Sequence, residues 1–281
     1  MNNSRRNVDE TVAAGFGHEW STFQQDEENF SASDREAMFL SYFHIFPWDL
    51  LPAEAVGADV GCGSGRWSFL VAPRVGHLHL LDASAEALAV ARNNLSGAPN
   101  TSFHLASAGD MPFDDGSLDF AFSLGVLHHI PDTPGAIREI ASKLKPGAPF
   151  LVYLYYALDN RPWWFRTLWK LSNVFRTVIC RLPAGLRLVV SQIIAALIYW
   201  PLARFAALVQ RAGLPTASIP LEYYRHRSFY VMRTDAYDRF CTSLEKRFTR
   251  AQVRQMLSDA GFDDIRFSEA APFWGAVGIK R

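Results

Sequence analysis

Ala58-Asp-Val-Gly-Cys-Gly-Ser-Gly-Arg-Trp67, preceded by the small apolar segment Ala53 to Gly57, is the stretch on which the reading of this 281-residue chain turns. It has the form of a buried strand that ends in a turn and passes into a helix. Gly61, Gly63 and Gly65 alternate there. A backbone leaving a parallel strand must turn sharply and admit a ligand to the main chain, and side chains would prevent both. A helix beginning near Arg66 would aim its first free N–H groups at whatever occupies the turn. A dinucleotide fingerprint, G-x-G-x-x-G, places its third glycine where this chain has Arg66, and no G-x-x-x-x-G-K-[ST] run is present. Both dinucleotide and triphosphate sites are therefore disfavoured.

Working outward, Asp59 sits at the strand end and Asp82 follows the apolar run His77 to Leu81. An acid at the tip of the neighbouring strand, roughly 20 residues beyond a glycine turn, is placed to accept both hydroxyls of a ribose. A third acid, Asp110, lies in Gly109-Asp110-Met111-Pro112 after the strand expected at Thr101 to Ala106. From Ala55 to Tyr156 short apolar runs alternate with helical ones, the rhythm of a parallel sheet. Strands are expected near Val60, Leu80 and Phe103, at Leu118 to Leu124 and at Pro149 to Tyr156, with helices from Arg66, at Ala85 to Leu95 and at Thr133 to Leu144. Thr249 opens a further helix that Gly261 closes, before strands at Ile265 to Phe267 and Phe273 to Ile279.

Ahead of the sheet, Gly15-Phe-Gly-His-Glu-Trp20 with Phe23 reads as an ordered, glycine-punctuated arm. Ser33-Asp-Arg-Glu36 has the form of a capping box for a helix running to Phe46. Met1 to Glu10 is polar and lacks the apolar core of a secretion signal, and Cys62, Cys180 and Cys241 form no C-x-x-C pair. Reduced thiols, no metal and a cytoplasmic location are the expectations. Hydrophobic content of 49% is ample for a core, and net charge is zero. That total hides an asymmetry, because Asn160 to Leu221 holds eight Arg and Lys and no Asp or Glu. An electrostatic partner for that segment is implied. Within it Pro162 to Leu182 forms an amphipathic helix with a basic face, and Leu188 to Ala203 is an uncharged run. The run is too short to span a bilayer and is broken by Gln192 and Pro201.

The chain resembles the class I S-adenosylmethionine-dependent methyltransferases, particularly the small-molecule group that includes the quinone-biosynthesis enzymes. The resemblance covers about Ala53 to Tyr156 and, more loosely, Phe248 to Lys280. It rests on five motifs in the family's order: Asp59-Val-Gly-Cys-Gly-Ser-Gly65, Leu80-Leu-Asp-Ala-Ser84, Gly109-Asp-Met-Pro-Phe113, the run from Leu118 through Ser123-Leu-Gly-Val-Leu-His-His-Ile130, and Leu144-Lys-Pro-Gly-Ala148. It implies an α/β, Rossmann-like, seven-stranded and mostly parallel sheet with helices on both faces and a final antiparallel pair. It also implies an N-terminal arm and lid helix over 1–50, a core over 51–156, an inserted helical cap over 157–232 and closing elements over 233–281.

The cofactor implied is S-adenosylmethionine, leaving as S-adenosylhomocysteine. Asp82 with Ala83 would hold the ribose, and Asp110 with Gly109 and Met111 the adenine. The turn Gly61, Cys62, Gly63 and Gly65 would lie against the methionine half, with Asp59 and Ser123 completing the set. His128 and His129 stand at the carboxyl end of the central strand, where open parallel sheets place ligands. A neutral imidazole is a suitable base for a hydroxyl or ammonium acceptor, and His129 is favoured. Packing under the sheet edge is the bland alternative for both. Tyr153, Tyr155, Tyr223, Tyr224, Arg225 and His226 are further candidates for the acceptor pocket. The expected acceptor is small, hydrophobic or lipid-linked, methylated on oxygen more readily than on nitrogen or carbon, with peripheral contact to anionic membrane through the insertion. Nucleic acid is not expected, because amino methyltransferases acting on bases carry Asn or Asp followed by Pro-Pro where this chain has Ser123-Leu-Gly-Val126. An RNA methyltransferase and a non-catalytic adenosylmethionine-binding subunit are the alternatives.

Overall fold

The computed structural model describes residues 7–24 and 31–281; of the polar N-terminal stretch, Met1 to Arg6 lie outside the described residues. The chain forms two compact units, one comprising residues 7–24, Arg35–Ala157 and Leu244–Arg281, the other residues 31–34 and Leu158–Ser243.

A seven-stranded sheet organises the first unit, with strands β1 (Val56–Val60), β2 (His77–Asp82), β3 (Thr101–Leu105), β4 (Phe120–Leu124), β5 (Pro149–Tyr153), β6 (Phe262–Phe267) and β7 (Gly275–Lys280). Their spatial order is β3-β2-β1-β4-β5-β7-β6. Only β7 runs antiparallel, pairing with both β5 and β6, so the expected closing hairpin is present. The strand order reverses between β1 and β4, and crevices at such a reversal, outside the carboxyl ends of the strands, are where open sheets hold ligands. β4 is buried along its whole length, as expected for the apolar run Phe120-Ala-Phe-Ser-Leu124 at the centre of a sheet covered on both faces.

Helices α1 (Glu10–Thr22), α2 (Ala32–Phe43), α3 (Ser68–Val71), α4 (Ala85–Asn94), α5 (Thr133–Lys143) and α10 (Arg250–Asp259) complete the elements before and around this sheet. α5 shows how the pattern works: Asp132 caps it by accepting from the Gly135 N–H, Pro134 occupies its first turn, and Ala136, Ile137, Ile140 and Ala141 face the core. α10 starts in a reciprocal capping box between Thr249 and Gln252.

Three local readings are corrected. The arm is a helix, α1, with both Gly15 and Gly17 inside it. α2 begins at Ala32, one residue before the expected box, because the Ser31 hydroxyl, not that of Ser33, accepts from the Asp34 N–H. The helix after the glycine turn is the single turn α3, since Pro73 follows at once and a short 3-10 turn, Ala72–Arg74, takes over. Four residues give little macrodipole, so the main-chain contribution at this turn comes from the loop itself.

The second unit holds α6 (Trp163–Ile179), α7 (Ala184–Ile194), α8 (Trp200–Arg211) and α9 (Phe229–Cys241). It runs past the expected end of the cap because α9 buries Val231, Met232, Ala236, Tyr237 and Phe240 and packs against α6 and α7. α7 and α8 join through a π turn, Ala195–Tyr199, into one apolar helix of 28 residues, Ala184–Arg211. Pro201 therefore does not end the apolar run. Its missing N–H falls in the first turn of α8, next to the widened π turn, which absorbs the break in the hydrogen-bond ladder.

Candidate active site

The sheet's carboxyl edge is built from backbone upward. Leu81 lies opposite Val60 in the β1–β2 register, and its carbonyl accepts from the N–H groups of Gly61 (2.7 Å) and Cys62 (3.0 Å), which turns the chain back over β2. Asp82 then fixes the turn from below: its Oδ2 accepts from Gly63 N–H and its Oδ1 from Ser84 N–H, each at 2.9 Å. Gly63 has φ +55°. A Cβ there would come within 2.8 Å of the Trp20 indole, and one on Gly61 within 2.3 Å of the Val126 side chain. The glycines are thus required both by conformation and by what lies over them. Burial raises the Asp82 carboxyl above its ordinary pKa, while the N–H groups of Ser84, Gly63 and Ala83 pull it back toward ionisation.

Asp59, one residue before the end of β1, is buried and does a different job. Its Oδ2 accepts from the Ser68 hydroxyl at 2.7 Å, which pins α3 to the strand. Burial raises its pKa to about 7, opposed by the Ser68 bond and Arg66 and reinforced by Asp82. Asp59 thus orients its own turn through Ser68. Ser123 is fully buried and donates to the Val60 carbonyl at 2.7 Å, so its side chain ties β4 to β1. The Cys62 thiol is buried and pushed well up by burial and by Asp82 and Asp59, which keeps it protonated and unreactive. Ala83 is exposed beside Asp82, and Gly65 closes the turn by donating to the Cys62 carbonyl at 2.9 Å. In the third motif Asp110 is exposed, Met111 is buried, and the main chain is held by Gly109 N–H to Ser107 Oγ and Met111 N–H to Glu139.

α1 crosses this edge as a roof, and it is the feature that sequence reasoning undervalued. Asn7 exchanges two hydrogen bonds with the backbone of Asp132, Phe16 packs on His129 with ring centroids 4.9 Å apart, and Trp20 lies over Gly63 with Arg66 stacked on it. Gly17 is where the helix touches the sheet edge: a Cβ there would sit 2.6 Å from the Ser84 hydroxyl. The signal was present as a small residue one helical turn before an aromatic, but it needs the partner surface to be read. Further along the edge, Tyr42 from α2 packs on Trp67 and Tyr153, and Tyr153 packs on Tyr155.

The two histidines divide. His128 is fully buried, stacked on Tyr155 at 3.8 Å, and among the described residues neither ring nitrogen has a hydrogen-bond partner. Burial, His129 and Arg247 together lower its pKa well below the ordinary value, so it is a neutral packing group. His129 Nδ1 lies 2.7 Å from the Leu244 carbonyl, which can only accept. Nδ1 therefore carries the proton and Nε2 the basic lone pair. Tyr223, Tyr224, Arg225 and His226 belong to the second unit, where the Tyr224 hydroxyl donates to Asp235 and Arg225 pairs with Glu222 and Gln210. His226 is held by the same Gln210.

The family described as "Methyltransferase domain" matches residues 58–152, which run from β1 into β5. Phosphoethanolamine N-methyltransferase 2 of Caenorhabditis elegans is 33% identical over 110 residues, 38% of this chain and 25% of that protein. A ubiquinone biosynthesis O-methyltransferase of Xanthomonas axonopodis is 35% identical over 100 residues, 35% of this chain and 42% of that protein. The matched stretch thus spans less than half the length of either relative. The solved structure of Haemonchus contortus phosphoethanolamine N-methyltransferase 2, with phosphomonomethylethanolamine and S-adenosylhomocysteine, superposes with a TM-score of 0.50 and 17% identity, covering 97% of this chain and 47% of that one. At that identity it speaks for the fold. Over residues 58–152 the chain is a class I S-adenosylmethionine-dependent methyltransferase domain.

Proposed function

We propose that the protein transfers a methyl group from S-adenosylmethionine to a small hydrophobic or lipid-linked acceptor, with oxygen the favoured atom. The observation that carries the reading is the Asp82 carboxylate, fixed by Gly63 and Ser84 N–H groups at the end of β2. Its oxygens accept from backbone N–H groups, and a carboxylate with about four lone-pair sites has capacity left for ribose hydroxyls. The residues present fit the cofactor in two further respects. A Cβ on Gly125, at the end of β4, would meet nothing within 4 Å, so that stretch of main chain is open to a ligand. Met111 offers a buried apolar side chain beside the exposed Asp110, a pairing suited to an adenine ring and its exocyclic amine.

When bound, the cofactor supplies an activated methyl on a sulfonium. This chain then has to align an acceptor in line with it and exclude water, which together lower the barrier without a covalent intermediate. Tyr42, Tyr153 and Tyr155 pack ring against ring and Phe16 packs on His129, an aromatic cluster better matched to a planar or lipid-like acceptor than to a highly charged one. His129, its proton held on Nδ1 by Leu244, would take the acceptor's hydroxyl proton at Nε2. Radiolabelled methyl transfer to a panel of quinols, phenols and lipid amines, with products resolved by mass spectrometry, tests the proposal. Labelling confined to small charged acceptors would overturn the acceptor class, and cofactor binding with no labelling of any acceptor would favour the non-catalytic alternative.

A further inference from the structure

The second unit wears its apolar side outward. On α6 the buried positions include Arg176, whose guanidinium donates to the carbonyls of Thr242 (2.7 Å) and Ser243 (3.0 Å) and to Asn173 Oδ1 (2.7 Å). Leu171, Val174, Phe175 and Val178, spaced by three and four residues, are all more than half exposed. A water-soluble helix does the reverse. The long helix Ala184–Arg211 repeats the arrangement. Small and polar residues, Ser191, Ala195, Ala203 and Ala206, are buried within the unit, while Val189, Ile193, Leu197 and Phe205 are exposed, Leu197 by 71%. Runs of outward aliphatic and aromatic side chains on this scale mark a surface that is covered in use.

Charge says what covers it. No acid occurs from Asn160 to Leu221, and Arg166, Lys170, Arg181 and Arg211 are exposed there. The other basic residues are partly spent inside the unit, Arg176 as above and Arg204 on the carbonyls of Arg225 and Arg227. Two copies of so one-sided a surface would bring like charges together, which disfavours self-association through it. Aliphatic residues outnumber the stacking ones among the exposed apolar positions, which suits hydrocarbon better than bases. Trp163, Trp164 and Trp200, all exposed, are the side chain most at home where hydrocarbon meets headgroups.

We infer that α6 and the α7–α8 helix dock the protein on an anionic membrane surface, lying in the plane of one leaflet. The long helix is long and apolar enough to cross a bilayer, but its inner side is bonded through Arg204 and Gln192 to the rest of the unit, with Gln192 accepting from Arg233. Those bonds hold one side of it against polar protein, so it enters by its outer face only. The inference rests on no part of the methyl-transfer reading.

The test is co-sedimentation of the full-length protein with vesicles of phosphatidylcholine alone and of phosphatidylcholine mixed with phosphatidylglycerol. Sedimentation with the mixed vesicles at low salt is expected, weakening at high salt and with phosphatidylcholine alone. Phe175→Glu combined with Leu197→Glu should lower the apparent partition constant by about tenfold or more. Arg166→Glu with Lys170→Glu should lower it by at least about fivefold for each cation removed, and only for the anionic vesicles. All four positions are exposed, so the fold should persist, as circular dichroism would show; Leu50→Glu, exposed in the first unit, is the control and should bind unchanged. Protein that stays in the supernatant under every condition overturns the inference, as does binding indifferent to these substitutions. A dimer in vesicle-free buffer that the Phe175/Leu197 pair dissociates, or tightly held RNA released by the charge reversals, would assign the face to those partners instead.

Discussion

Replacing Asp82 separates the cofactor site from the fold that carries it. In Asp82→Ala two acceptors vanish, so the N–H groups of Gly63 and Ser84 lose their partners, at a cost of about 1 to 3 kcal/mol each where water cannot replace them. The glycine turn should loosen and the melting temperature fall by several degrees. The larger loss is in binding. Two charge-assisted hydrogen bonds to ribose hydroxyls, about 1.5 to 3 kcal/mol each, correspond to roughly two to four decades in Kd. Asp82→Asn keeps one acceptor oxygen but turns an amide N–H₂ toward a backbone donor, so it should weaken binding nearly as much while disturbing stability less. Titration calorimetry with S-adenosylhomocysteine reads the binding, and thermal unfolding without ligand reads the turn. Acidification should mimic the substitution in the wild type. Burial raises the Asp82 pKa, so the carboxylate that accepts the hydroxyls is lost as pH falls through a value above the ordinary carboxylate range, and affinity falls with it. Unchanged affinity in a folded Asp82→Ala protein would refute the ribose assignment and, with it, the reason given for the geometry of the turn.

Gly63→Ala should dislodge Trp20, 2.8 Å from the added methyl, and is seen as faster proteolysis of α1 together with weaker cofactor binding; equal cleavage rates in variant and wild type would count against the roof. His129→Ala should cut turnover by about two decades with cofactor affinity intact, the scale of a lost general base, whereas near-normal turnover would leave His129 a packing residue held by Leu244. Asp59, with its folded-state pKa raised from 3.8 to about 7, contributes stability that is full below 3.8 and lost as pH rises through 7. Urea unfolding between pH 5 and 7 should therefore show Asp59→Asn gaining on the wild type by about 1.4 kcal/mol per pH unit and levelling off above 7, and parallel curves would contradict the neutral carboxyl.

What could be read from the sequence was what depends on period and spacing. Asp59, the glycine turn and Asp82 lie at the ends of adjacent strands because the alternation of apolar runs fixes a parallel sheet, and a parallel sheet fixes which ends meet. Ser123 was harder. A serine at the carboxyl end of a central strand has the same letter whether it faces a ligand or, as here, the carbonyl of Val60. His128 and His129 differ by one position yet one stacks on Tyr155 and the other bonds to Leu244, a residue 115 positions away, and no local pattern carries that distinction. The cap misled in another way. Helical periodicity showed that α6 is amphipathic, but period alone does not say which face is turned inward. The charges of its basic face, Arg166 and Lys170, are indeed exposed, but the apolar side is exposed as well: Phe175 is in solvent, while the neighbouring Arg176 is buried on carbonyls.

The roof over the glycine turn is held unevenly, and the unevenness sets how it can open. At its N-terminal end α1 is tied by the Asn7 and Asp132 bonds, which are exposed and exchange readily with water, for a net contribution of about 0.5 to 1.5 kcal/mol each. At its other end Phe23 is only 1% exposed, and full burial of a phenylalanine is worth about 1.5 to 3 kcal/mol with no competing interaction in water. Between them Trp20 and Phe16 rest on the two places where chemistry is expected, Gly63 and His129. Because Val12 is also buried toward the N-terminal end, an opening that started there would have to free Val12 as well as the Asn7 bonds, and it would uncover His129 before Gly63. Admission of an acceptor would then need a smaller opening than exchange of the cofactor, which requires Trp20 itself to leave. That order is what a methyl-transfer site needs if an acceptor is to meet a cofactor already enclosed from water.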